Sequence, residues 1–345
     1  MSSEYRVSDL SLSTRINFAA MTVKPGAVVV TGAAGFIGSY VVDRLIAEGR
    51  HVVGIDNLSL GTLENLAGPL AGDRFTFIKA DLADGPRTLS LMEEICASRS
   101  VRSVWHLAAN SDISAGVTDP DVDMRNTFLT TYNVLVAMRR CGIGSIAFSS
   151  SSAVYGDNPA TLREDTGPLF PISNYGAMKL ASEASISAAV ESHVERAWIF
   201  RFPNVIGKRS THGVIFDFIR KLRANPRELE VLGDGNQQKS YLHVADLVDA
   251  MFEIVGRTNE PLNCFNIGNT DAGATVRYIA ESVIDEMQLD ASMRFTGGAK
   301  GWVGDVPKFQ YSVDRLLGLG WKPRYTSLEA VRKSIRELLT DASGQ

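Results

Sequence analysis

The sequence predicts an α/β fold: a doubly wound parallel sheet followed by a smaller C-terminal α/β lobe. Three observations carry this expectation. Runs rich in β-branched residues alternate with stretches of helical periodicity from Ala27 to Phe202, and a glycine-rich turn joins the first run to the first helical stretch. Beyond Phe202 the alternation gives way to loops rich in Gly, Pro and polar residues. The chain has 345 residues, and single cores stop growing at roughly 250 to 300, so more than one lobe is expected.

The elements follow in order. Ala27 to Thr31 reads as a buried strand. After the turn, Val41, Val42, Leu45 and Ile46 recur at helical spacing within Ser39 to Glu48, and Gly49 ends that helix. His51 to Ile55 is a second apolar run, closed by Asp56. Strand, turn, helix and strand form a βαβ unit, whose strands run parallel because the crossover is helical. Further strands are predicted at Phe75 to Lys79, Ser103 to Leu107, Ser145 to Ser149 and Ala197 to Phe202, with helices at Thr127 to Arg140 and Asn174 to His193. Later helices are predicted at Val214 to Arg223, Val244 to Val255, Val276 to Met287 and Leu328 to Leu339.

Composition excludes several classes. A formal net charge of −4 leaves no basic footprint for a nucleic acid backbone. No segment reaches the ~18 uninterrupted apolar residues of a membrane span, so no membrane partner is expected. Cys96, Cys141 and Cys264 are odd in number and widely spaced. The histidines, His106, His212 and His243 among them, fall at no metal-ligand spacing. Neither a disulfide framework nor a metal is expected, and a reducing cytoplasm fits. The leader before Val23 lacks the basic start, apolar run and cleavage site of a secretory signal, and reads as a disordered extension or a consequence of start-site choice.

Gly32, Gly35 and Gly38 stand at G-x-x-G-x-x-G spacing around Phe36 and Ile37, between a predicted strand and a predicted helix. Glycine lets the backbone approach a diphosphate, and the free N–H groups and dipole of the following helix favour its charge. Asp56 ends the next strand, where a carboxylate accepts hydrogen bonds from an adenosine ribose and repels a 2′-phosphate, so NAD is expected rather than NADP. The expected division is a leader over 1–22, an NAD-binding Rossmann domain over 23–202 plus about 240–268, and a substrate-binding lobe over 203–239 and 269–345.

Tyr175 and Lys179 form a Y-x-x-x-K pair on one helix face. A lysine ammonium beside a phenol lowers a pKa that starts near ~10, which suits the tyrosine to general-base work. Ser149 to Gly156 begins at a predicted strand end, the edge at which open α/β sheets bind ligands, and its hydroxyls can meet a reacting alcohol. Some of these serines serve only local backbone bonds.

Taken together, Thr31-Gly32-Ala33-Ala34-Gly35-Phe36-Ile37-Gly38-Ser39, Asp56-Asn57-Leu58-Ser59, His106-Leu107-Ala108-Ala109, Ser150 to Gly156, and Tyr175 with Lys179 resemble the successive motifs of the NAD-dependent epimerase/dehydratase family of extended short-chain dehydrogenases. The UDP-glucose (UDP-galactose) 4-epimerase type is the nearest resemblance. It implies that Ser151 lies beside the sugar O4, that Tyr175 is the base, and that Lys179 holds the nicotinamide ribose and tunes Tyr175. It further implies cofactor contacts at Asn57, Asp81, Leu82, Leu107, Ala108, Ala109, Asn126, Ser149 and Phe202. For a nucleotide-diphosphate sugar, UDP-linked in this type, it implies contacts at Ser152, Asn204, Thr211, Val214, Lys239, Tyr241, Asp305 and Phe309. A homodimer through the helices around Asp123 to Arg140 and Asn174 to His193 is implied too.

The chain departs from the family in places. Lys239 stands where arginine is usual on the diphosphate strand, and Trp302 where arginine often precedes Gly304-Asp305, leaving Lys300, Arg209 or Arg294 as substitutes. Phe309 matches a bulky position that disfavours N-acetylated sugars, which favours a hexose or hexuronate. Dehydratases of the family carry an acidic pair where this chain has Ser152 and Ala153, so removal and return of a hydride, 4-epimerisation through a 4-keto sugar, suits these residues best. A dehydratase or reductase using the same Ser/Tyr/Lys set, and a non-enzymatic dinucleotide sensor, stand as the alternatives.

Overall fold

The computed structural model describes residues 24–298 and 311–341. Six strands in chain order, β1 (Lys24–Thr31), β2 (His51–Asp56), β3 (Phe75–Lys79), β4 (Arg99–His106), β5 (Ser145–Ser149) and β6 (Arg196–Arg201), join strand Leu262–Asn266 in one seven-stranded sheet. Its order is Leu262–Asn266, β6, β5, β4, β1, β2, β3, and every pairing is parallel. The order reverses between β1 and β4, which opens a crevice at their carboxyl ends.

Alternation along each strand feeds two cores. Val28, Val30 and Val52 pack with Val41, Val42 and Leu45 of helix Phe36–Ala47 and with Leu247 and Met251 of helix Val244–Arg257. Val29, Val53 and Ile55 pack on the other face with Leu91 and Ile95 of helix Gly85–Ser98, Val134 and Met138 of helix Thr130–Cys141, and Ile186 of helix Asn174–Val190. Both faces being covered explains the continuous apolar strands. Caps set the helix ends: Asp84 accepts the Arg87 N–H at 3.0 Å, and Gly142 in the left-handed region closes Thr130–Cys141.

The sheet's edges differ from expectation by a few residues. Strand β4 starts at Arg99; it stops at His106, and β6 at Arg201, because Leu107 and Phe202 turn into the crevice. The helix predicted from Thr127 begins as a π turn over Met124–Leu129 before becoming regular at Thr130, and the helix from Asn174 ends at Val190.

The second lobe packs helices Val214–Ala224, Val276–Glu286 and Ser327–Asp341 around the parallel pair Glu228–Val231 and Ser292–Phe295, with Phe218, Leu229, Ile279 and Val331 at its centre. Among the described residues no helix is long and apolar enough to cross a membrane.

Candidate active site

One cavity occupies the crevice at the sheet's reversal, lined by the strand-end residues Gly32, Asp56, Leu107 and Ser149. At its floor the first turn is built from close backbone approaches. Gly32 has a φ of 67°, and a Cβ there would stand 2.8 Å from the Ala108 nitrogen; a Cβ on Gly38 would stand 1.9 Å from the Gly32 carbonyl oxygen. Only glycine lets the helix start against the strand end. Helix Phe36–Ala47 carries no side-chain cap and no acid in its first turn, so its amino end is left for an anion. These residues fit a dinucleotide diphosphate.

Asp56 is buried at the cavity wall, where its carboxylate accepts the Ala34 N–H at 2.9 Å and the Leu58 N–H at 2.7 Å. Burial pushes its pKa upward and those two hydrogen bonds pull it down. Its remaining lone pairs suit ribose hydroxyls. Phe36, Ile37, Asn57, Asp81, Leu82, Ala108, Ala109, Asn126 and Phe202 line the same cavity. The π turn carries Asn126 there: five-residue spacing widens the turn, and Thr130, also on the wall, bonds back to the Asn126 and Thr127 carbonyls at 3.2 and 2.9 Å.

Tyr175 and Lys179 meet the serine segment at the end of β5. Ser173 caps helix Asn174–Val190 by accepting the Gly176 N–H at 3.1 Å, and a Cβ on Gly176 would come within 2.6 Å of the Ala153 carbonyl. That approach brings the first turn of the helix onto the short helical turn Ser152–Tyr155, which Ser151 caps by accepting the Ala153 N–H at 3.2 Å. Burial pushes the Tyr175 phenol up to about 12; the nearby Ser151 side chain acts downward and the charge of Asp123 upward. Lys179 is buried, donates to the Ser149 carbonyl at 2.6 Å and sits 4.8 Å from the Phe148 ring centre. Burial lowers its ammonium to about 7, against the charges of Glu183 and Asp123, which act upward. A base, a hydroxyl donor and a titratable ammonium therefore share one enclosed corner.

His106 has no such role. It lies fully inside between the Thr31 hydroxyl at 2.7 Å and the Thr131 hydroxyl at 3.1 Å, and burial together with the Lys179 charge lowers its pKa to about 3, which keeps it neutral.

Of the residues expected to meet a sugar nucleotide, Thr211 lines the cavity. Ser151 and Ser152 lie on the turn beneath Tyr175, Asn204 begins strand Asn204–Ile206, Val214 begins helix Val214–Ala224, and Lys239 ends strand Gln238–Lys239. Tyr241 lies on strand Tyr241–His243 and is buried in the core of the second lobe with Ile206 and Ile215. Asp305, Phe309, Trp302 and Lys300 lie outside the described residues. Arg209 and Arg294 already hold carboxylates, Arg209 with Asp43 at 2.8 Å and Arg294 with Glu228 at 3.4 Å and with Glu230.

Sequence reasoning missed part of the site. Asn110 and Ser111 line the cavity, from a loop whose composition carries no periodic signal. Glu183 and Arg201 form a buried ion pair behind the serine segment, with contacts of 2.6 and 3.0 Å. Removing one partner of such a pair costs about 3 to 5 kcal/mol. The four-residue step from Lys179 to Glu183 was the available signal.

Residues 28–268 match the NAD dependent epimerase/dehydratase family. The chain is 31% identical over 319 residues to the UDP-glucose 4-epimerase of Mycolicibacterium smegmatis, covering 89% of this chain and 96% of that protein. It is similar to a crystal structure of a UDP-galactose 4-epimerase at 36% identity and a TM-score of 0.79, covering 91% of this chain and 99% of that one. A Thermotoga maritima UDP-glucose 4-epimerase solved with UDP-glucose is similar at 28% identity and a TM-score of 0.80, covering 92% and 99% of the respective chains. With the glycine turn, Asp56, Tyr175 and Lys179 lining one crevice, the chain belongs to the NAD-dependent epimerase/dehydratase family and is an NAD-dependent enzyme.

Proposed function

We propose that the chain is a nucleotide-sugar 4-epimerase acting on a UDP-linked hexose or hexuronate. The observation that carries this reading is Tyr175 and Lys179 together on the cavity wall next to the Ser151 turn, with Ser152 and Ala153 in place of the acid pair that elimination needs. The relatives named above as UDP-glucose and UDP-galactose 4-epimerases support the substrate class.

The glycine turn with Asp56 would hold NAD, which when bound supplies the acceptor and donor of a hydride. The chain's own residues handle the proton. Tyr175 accepts the proton of the sugar 4-hydroxyl, Ser151 hydrogen-bonds the same oxygen, and the Lys179 ammonium offsets the phenolate charge. The oxygen's proton returns from Tyr175, so no net acid or base is consumed. Asn204, Thr211, Val214 and Lys239 are proposed contacts of the sugar nucleotide, as are Asp305 and Phe309.

The proposed division keeps residues 23–202 with about 240–268 as the cofactor domain and assigns the rest of the described chain to the sugar nucleotide. A homodimer is supported by the exposed Met124, Tyr132 and Val136 along the π turn and the helix after it. A reducing, cytoplasmic setting is supported by the free thiols of Cys96, Cys141 and Cys264.

The test is incubation of purified protein with UDP-glucose and, separately, UDP-glucuronate, without added cofactor. Appearance of the 4-epimer is the expected result. A requirement for added NADPH, or release of a dehydrated 4-keto sugar, would replace this reading with a reductase or a dehydratase.

A further inference from the structure

Tyr175, Lys179 and Glu183 follow at four-residue intervals along helix Asn174–Val190 and so share one face. The first two line the cavity; Glu183 does not, and it is buried behind them. Both its oxygens are used. Ser150 donates its hydroxyl to Oε1, Arg201 Nε reaches the same oxygen at 3.0 Å, and Arg201 Nη2 reaches Oε2 at 2.6 Å. The far side of the guanidinium is fixed as well: Nη1 donates to the Tyr155 hydroxyl at 2.9 Å, which donates to Asn266 at 2.7 Å.

A tie between helix and strand needs only the ion pair. This one also takes hold of Ser150, which lines the cavity between Ser149, whose carbonyl accepts the Lys179 ammonium, and Ser151, which caps the turn next to Tyr175. Resting on the epimerase reading, we propose that Glu183, locked by Arg201, is a positioning residue for the reaction: it pins Ser150 at the strand end and supplies the negative charge one helical turn from the Lys179 ammonium.

The groups that act on Lys179 support this. From its own helix come Tyr175 and Glu183; from the segment before the π turn comes Asp123; from β4 comes the neutral His106; from β5 come only the Phe148 ring and the Ser149 carbonyl; and Arg201 on β6 is already paired. Among the charges that favour the ammonium, Glu183 is the larger and Asp123 the smaller.

The test uses Glu183→Gln, with Glu183→Gln/Arg201→Gln as the variant that leaves no unpaired buried charge. Two pH profiles are read: turnover of UDP-glucose, and the ionisation of Lys179 followed by NMR of isotope-labelled lysine, its signal assigned by its loss in Lys179→Met. The expected result is that loss of the carboxylate moves the alkaline limb of turnover and the Lys179 titration together to lower pH by about one unit. KM for the sugar nucleotide should change less than kcat, and Glu183→Asp should move both profiles back toward wild type. A folded variant with both profiles unchanged, whatever its loss of thermal stability, overturns the proposal. Wild-type protein that does not interconvert the sugar nucleotides overturns the epimerase reading instead, while the Lys179 titration still reads the role of Glu183.

Discussion

The two halves of the crevice are made of different material. At the end of β1 the walls are backbone: Gly32, Gly35 and Gly38 bring main chain to main chain, and the only charged side chain needed is Asp56. At the ends of β5 and β6 the walls are side chains supported by other side chains, Ser150 by Glu183, Glu183 by Arg201, and Arg201 by Tyr155. A backbone site binds a fixed charge and has no need to change. The side-chain site must move a proton, and its groups are held by partners that share their charge.

Substitutions separate the two halves by which quantity they damage. Tyr175→Phe has the largest expected effect: turnover should fall by about 10²- to 10⁴-fold while the purified protein still releases NAD on denaturation; activity near wild type would remove Tyr175 from the base role. Gly38→Ala should act in the opposite sense. Its Cβ meets backbone that cannot give way, a strain on the order of 1 to 3 kcal/mol, so bound NAD should be lost from the purified protein, and kcat per bound cofactor should be kept. Ser151→Ala removes one hydrogen bond to the reacting oxygen and should cost about tenfold in kcat, with cofactor content unchanged. Asp56→Asn should be the mildest. It weakens NAD binding a few-fold and narrows the preference for NAD over NADP, read by isothermal titration with each dinucleotide; an unchanged preference would place the choice of cofactor elsewhere.

The same contrast explains what was legible in the sequence. A backbone site leaves its mark in the residues themselves, because only glycine tolerates a neighbour at 1.9 Å, and the spacing of Gly32, Gly35 and Gly38 can be read without a structure. The strands were legible because burial on both faces writes continuous apolar runs, and two carboxyl ends moved because Leu107 and Phe202 leave the sheet for the cavity. The supporting network was legible only in the four-residue step from Lys179 to Glu183. Glu183 and Arg201 lie on different elements and look in sequence like ordinary charged residues; their burial is set by the packing of helix Asn174–Val190 on β6. The π turn was hidden for a similar reason, since a residue added to a helical turn barely alters the apolar pattern.

The account turns on a hydride that leaves the sugar and comes back to the same carbon, under the control of Tyr175. The most direct measurement is to incubate the protein with UDP-glucose carrying deuterium at C4 and to examine the epimer by mass spectrometry and NMR. The deuterium is expected to stay at C4 of the product, with no exchange into water. Epimer that has lost the label to solvent, or label found at another carbon, would contradict it.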